Sequence, residues 1–365
     1  MNTLSSKHLF FVILGVALVS LETYPSVYVT LGGRDSWIGM LAASFIFFFF
    51  ALYVMNGIKN TNCYDIKEIH TKAYGKIIGK IMLLLYSIML LITAVECATV
   101  EASALHTNVF IETPVWYILL FFIVPAIYPI KKGEVAIILT TIVTVVMVYI
   151  TGVIILILGI KYNHYNYLKP ILSQGIVPGL MKCSLELLGL FGSLFIMLPY
   201  LTVIREKQKV NRYVAIALIV VIFMSIASIT SLLATFGPER TSNIFYPRSV
   251  QTQLFYYGGY LEFSELFIIL QIVASWFIKY ILCLYAFILI YKNYFNNRKF
   301  MIYILSLFIF IASFLLSKND VILFKLLNYY ANISLIGFII LPFITFTLLR
   351  IRGKKGSKSS SKNKV

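Results

Sequence analysis

Ten times between residues 8 and 349 the chain runs through an apolar stretch long enough to cross a bilayer and then breaks into a short polar segment. A hydrocarbon core about 30 Å thick takes roughly 20 apolar residues per helical crossing. Inside it every backbone N–H and C=O must be paired within the protein, so each run has to be a helix. The stretches fall at 8–30, 37–58, 81–105, 115–130, 134–160, 183–203, 213–236, 263–291, 300–317 and 329–349, spans 1 to 10. Only 12% of the residues are charged and mean hydropathy is +0.90, whereas a soluble domain carries about 25% charged residues. The fold class expected is therefore an all-α integral membrane protein with a single polytopic domain over 1–350. The first run exceeds the apolar core of a signal peptide, about 7–15 residues, and lacks a clear cleavage site. It reads as the first helix of the mature protein.

The formal charge of +17 follows membrane topology, with no aromatic-interleaved basic face for nucleic acid. With the N-terminus inside, 22 Lys and Arg fall on the inner side and 8 outside, and Lys279 alone lies mid-span. The positive-inside rule then places both termini in the cytoplasm. From Arg352 the tail over 351–365 has no apolar residue before Val365 and is expected to be a disordered basic extension. The two longest outer connections, 161–182 and 237–262, hold aromatic stretches such as Gln253-Leu254-Phe255-Tyr256-Tyr257 and read as caps at the interface. Cys63, Cys97, Cys183 and Cys283 stand singly, with no CxxC pair and no His at metal spacing. Neither a metal centre nor a cofactor is expected.

A charge near the bilayer centre costs at least about 2.5–3.5 kcal/mol, so each one is a functional candidate. Five occur: Glu22, Glu96, Glu101, Glu186 and Lys279. Lys279 lies roughly 18 Å from the nearer boundary at 1.5 Å per residue, too far to snorkel. It must face the bundle, as a structural ion pair with Glu22 or Glu96 or as a ligand or proton-coupling group. Glu96 and Glu101 are about 140° apart around one helix, so at most one lines a central site. Glu186, one turn from Lys182, is expected to pair with it.

Spans 1 and 6 carry breakers at their middles. Span 1 reads Val19-Ser20-Leu21-Glu22-Thr23-Tyr24-Pro25-Ser26, and span 6 reads Leu188-Gly189-Leu190-Phe191-Gly192-Ser193 before Pro199. Proline removes an amide donor and clashes one turn back. Breaks in the first and sixth of ten spans match inverted-repeat transporters, which bind substrate at the midplane where corresponding helices of the two halves are interrupted.

Gly33-Arg34-Asp35-Ser36-Trp37-Ile38 after span 1, Phe245-Tyr246-Pro247 and Tyr260-Leu261-Glu262-Phe263-Ser264-Glu265 around the start of span 8, and Trp276-Phe277-Ile278-Lys279 within it resemble the B-subunit family of spore germinant receptors. That family is a branch of the amino acid/polyamine/organocation superfamily. The resemblance implies a LeuT-like five-plus-five inverted repeat in the spore inner membrane. It also implies an amino acid or similar small nutrient as ligand, and A-type and C-type receptor subunits as partners. Span 1 offers Ser20 where many superfamily members have Gly-x-Gly, and Phe263 stands where the family more often has Arg. Asp35 suits an N-cap of the second helix, and Trp37 an interfacial anchor.

On this basis Ser20, Glu22 and Thr23 of span 1, Glu96 and Val100 of span 3, Gly189, Phe191 and Gly192 of span 6, and Ser275 and Lys279 of span 8 are the expected substrate-binding residues. Lys279 is expected to replace the sodium ion bound where spans 1 and 8 meet in LeuT-type folds. The competing reading is a proton-coupled amino acid permease. A membrane enzyme finds no nucleophile–base set, His8, His70, His106 and His164 being terminal or in loops.

Overall fold

The computed structural model describes residues 4–173, 175–255, 264–292, 294 and 298–362. The described residues form helices and turns, with one isolated parallel bridge between Leu4 and Ile204. Ten helical segments are long and apolar enough to cross a membrane. The motif over Tyr260 to Phe263 lies outside the described residues.

Span 1 is three pieces: α1 (Ser6–Ala17), α2 (Val19–Thr23) and α3 (Ser26–Gly32). At Tyr24 the backbone leaves the helical region (φ −126°, ψ 56°). Pro25 cannot donate to the Leu21 carbonyl one turn back, and the Tyr28 hydroxyl donates to it instead at 2.8 Å. The earlier break at Leu18 is satisfied from span 6, where the Ser193 hydroxyl donates to the Val16 carbonyl at 3.0 Å. Both interruptions are closed by hydroxyls, as buried backbone groups require.

The first half continues with α4 (Ser36–Thr61), the short α5 (Ile66–Tyr74), α6 (Lys76–Asn108), α7 (Val115–Lys132) and α8 (Glu134–Gly159). The second half opens with α9 (Pro178–Phe191), which tightens at Gly192 into a 3₁₀ stretch over Gly192–Val203. It continues with α10 (Val210–Asn243), the short α11 (Pro247–Gln253), α12 (Ser264–Tyr291) and α13 (Arg298–Leu316). The tenth span is α14 (Asp320–Ser334), a π-helical turn (Leu335–Ile340) and α15 (Leu341–Lys362). The halves therefore correspond, each with a broken first span and a short helix between its second and third spans.

Burial separates centre from rim. Span 6 has 94% of its most apolar window buried, against 33% for span 5 and 28% for span 9. Phe45, Phe49, Phe121 and Phe223 point outward, where lipid is the solvent. Two expectations change. The connection after span 7 is not a surface cap along its whole length: Gly237 takes a positive φ (73°), and α11 sinks into the bundle with Arg248 and Gln251 buried. Asp35 occupies the N-cap position of α4 without bonding its amides, because its carboxylate accepts from the Leu172 N–H at 3.1 Å. Helical backbone continues from span 10 to Lys362.

Candidate functional site

At the centre of the bundle a buried ion pair joins the two halves. Lys279 Nζ of α12 lies 2.8 Å from Glu96 Oε2 of α6, with the side chains 0% and 3% exposed. Lys279 also donates to the Ser20 hydroxyl. Ser20 in turn donates to Glu96 Oε1 at 2.8 Å, and the Tyr24 hydroxyl reaches the same oxygen at 2.5 Å. The Tyr24 ring stacks on Trp276, its centroid 6.3 Å away, and Lys279 Nζ lies 5.1 Å from the Trp276 ring. Such a pair repays desolvation only when its remaining donors and acceptors are satisfied, and here two hydroxyls complete the carboxylate. Both come from the residues flanking the span 1 break, so that segment is clamped to spans 3 and 8.

On the opposite face of the same short helix is a cavity of about 30 Å³, room for about one or two waters. Glu22 and Thr23 of α2, Tyr149 of α8, Arg248 of α11, and Gln271 and Ser275 of α12 form its polar wall. Gln271 Nε2 donates to Glu22 Oε2 at 3.1 Å, while Gln271 Oε1 is buried without a partner. Arg248 is 5% exposed. Its guanidinium donates to Gln251 Oε1 at 2.7 Å and to the Ser228 hydroxyl. Leu14, Gly15, Leu18, Val145, Ile268 and Ile278 contribute to the apolar wall.

The expected residues thus divide into three groups. Ser20, Glu96 and Lys279 form the ionic centre; Glu22, Thr23 and Ser275 face the cavity. Val100 is fully buried and does not line the cavity. Gly189, Phe191 and Gly192 were expected to line the same cavity and do not. The α-carbon of Gly189 approaches the Ala331 carbonyl so closely that a Cβ would collide with it, and a Cβ on Gly192 would meet Phe338 Cβ at 2.7 Å. Phe191 stacks on Phe47, centroids 5.5 Å apart. These residues pack span 6 against spans 10 and 2. Glu186 also departs from expectation: Lys182 is exposed, and Glu186 accepts from Asn332 of α14 at 3.4 Å.

Arg248, Gln271 and Tyr24 escaped the sequence reading. In the sequence Arg248 is one of the eight outer charges between spans, although it directly follows the Phe245-Tyr246-Pro247 motif. Gln271 is uncharged in a long apolar run, and Tyr24 was read only as the neighbour of Pro25.

Comparison with known proteins bears on this arrangement. A structure titled as MhsT in complex with L-phenylalanine superposes on 93% of this chain and 87% of its own, with TM-score 0.61 at 13% identity, which establishes a shared LeuT-type fold. The spore germination protein XB of Bacillus anthracis is 22% identical over 253 residues, 68% of this chain and 69% of that protein. The family model described as spore germination protein matches residues 3–321. With broken spans 1 and 6 in a five-plus-five bundle and that match across most of its length, the chain is a multi-pass membrane protein belonging to the spore germination protein family.

Proposed function

We propose that this protein is the nutrient-sensing B-type subunit of a spore germinant receptor. It sits in the spore inner membrane with both termini cytoplasmic, binds an amino acid or similar small nutrient in the cavity beside the span 1 break, and relays binding to A-type and C-type subunits. The observation that carries this reading is a cavity at a helix interruption with polar groups in an otherwise apolar lining, walled by elements of both repeats and backed by the Lys279–Glu96 pair. The cavity is far smaller than an amino acid, so binding has to move its walls. The elements held by single hydroxyl contacts around the break are those best placed to shift. The Lys279 ammonium supplies a fixed positive charge where spans 1 and 8 meet, so sensing is sodium-independent. The Lys279–Glu96 pair also suits proton coupling in a permease, and proton-driven uptake into vesicles containing this chain alone would favour that reading.

Filling the cavity tests the proposal. Thr144 borders it, and Thr144→Phe places a ring in the ligand's space. Spores carrying the variant at normal abundance should lose at least 10-fold in sensitivity to the nutrient that wild-type spores answer. An unchanged dose-response at normal abundance would overturn the cavity as the sensing site.

A further inference from the structure

Three lysines converge on a groove at the rim of the bundle, away from the span 1 break. Lys131 and Lys132 end α7, and Lys299 stands in the first turn of α13. With Tyr128 and Tyr303 they line a groove of about 510 Å³ between spans 4 and 9, completed by Val124 and Ile127. Its lining includes no carboxylate among the described residues. Nor does any of the three lysines belong to the ion pairs within 4 Å among those residues, which are Glu68–Lys72, Glu206–Lys209 and Glu96–Lys279. Tyrosines position them instead. Lys131 Nζ donates to the Tyr303 hydroxyl at 2.8 Å and lies 5.1 Å from the centroid of that ring, and Lys132 Nζ lies 5.6 Å from that of Tyr128. Like charges gathered in one groove repel each other, and one anion shared among them relieves that repulsion. Away from the lysines the groove runs onto lipid-facing apolar surface. Val124 and Phe121 lie about one and two turns from Tyr128 on span 4, Leu307 and Ile311 one and two turns from Tyr303 on span 9, and all four are exposed. A soluble anion or an acidic peptide leaves that strip unused, whereas a phospholipid uses both parts.

We propose that this groove binds one anionic phospholipid, its phosphodiester shared by Lys131, Lys132 and Lys299 and an acyl chain laid between spans 4 and 9. Basic pockets between membrane helices on the cytoplasmic side hold acidic headgroups, and the positive-inside rule puts all three lysines on that side. The exposed rings of Tyr128 and Tyr303 mark the level of the interface, where aromatic side chains sit between headgroup and hydrocarbon. The lipid has a structural consequence. Span 9 is the least buried of the ten, and a headgroup bridging Lys299 to Lys131 and Lys132 ties its inner end to span 4. No residue of the groove lines the cavity beside the span 1 break, so the site stands or falls independently of the sensing role.

The test uses the full chain in detergent, with native mass spectrometry reading the lipid retained as dioleoylphosphatidylglycerol or dioleoylphosphatidylcholine is added. Wild-type protein should bind one phosphatidylglycerol about 10-fold or more tighter than phosphatidylcholine. Lys131→Gln, Lys132→Gln and Lys299→Gln together should erase that preference. Lys59→Gln, Lys76→Gln and Lys80→Gln together remove the same charge from exposed positions on the same side and should keep it. Tyr303→Phe retains the ring but withdraws the hydroxyl that receives Lys131, and should weaken phosphatidylglycerol about 3-fold, the loss of one modest hydrogen bond. Equal binding of the two lipids by wild-type protein would overturn the inference. So would an equal loss in both triple variants, which would reduce the effect to diffuse charge. Release of the bound lipid by millimolar inorganic phosphate, at a sodium chloride concentration that leaves it bound, would assign the groove to a free anion and overturn the lipid. If the first triple variant does not accumulate, Lys299→Gln alone decides: it should reduce the preference for phosphatidylglycerol about 3-fold or more, and an unchanged preference would remove the site.

Discussion

Replacing Lys279 by methionine keeps most of the stem and removes the ammonium, leaving Glu96 buried with only Ser20 and Tyr24 as donors. Breaking one side of a buried pair costs about 3–5 kcal/mol, so Lys279→Met should lower abundance and melting temperature. Adding Glu96→Gln removes the stranded charge and should restore both, a coupling readable in a double-mutant cycle. Restored abundance with a lost germination response would assign the pair a role in signalling; failure of Glu96→Gln to rescue would sink the pairing itself. At this scale the lysine was legible because its stem cannot reach water from mid-span, but its partner was not. Glu22 and Glu96 were equal candidates on paper. Glu96 takes the ammonium because Ser20 and Tyr24 converge on the same carboxylate. Glu22, two residues beyond Ser20, faces the opposite side of the short helix.

The elements explain why the glycines of span 6 lie away from the cavity. A Gly-rich interruption signals close backbone approach but does not say whether a ligand or another helix approaches. Here it is span 10: the Ser334 hydroxyl donates to the Gly189 carbonyl at 2.8 Å, next to the π-helical turn at Leu335–Ile340. That turn has no residue signature to read in advance. Gly192→Leu should therefore act as overpacking, which costs about 1–3 kcal/mol or more. A lower melting temperature and reduced abundance are expected, with Gly192→Ala milder in both. Normal abundance and melting together with a lost nutrient response would return Gly192 to the binding site. The break in span 1 was read correctly for a local reason, since Pro25 withholds its amide wherever the rest of the chain goes. Which hydroxyl would cap the orphaned Leu21 carbonyl depended on where Tyr28 points.

For the whole molecule the charge bias sets a test of orientation. Cys63, Cys97, Cys183 and Cys283 are all buried, so single cysteines introduced at Lys67 and Arg240 can be labelled over a quiet background. Lys67→Cys should react only from the cytoplasmic side and Arg240→Cys only from the outer side; reaction of both from one side would refute the ten-span orientation. The number of spans, their helical nature and the position of the first break were determined by the sequence alone. The bilayer forbids unpaired backbone, and apolar length and proline chemistry are local properties. Only the tertiary structure decided which polar groups meet. The Arg248 side chain reads as a surface charge until α11 folds inward, and Gln271 and Glu22 become one site only when spans 1 and 8 pack side by side. Charges 226 residues apart in the chain leave no periodicity to detect. Their meeting depends on packing of the two repeats, which acts through shape over the whole bundle rather than through neighbouring residues.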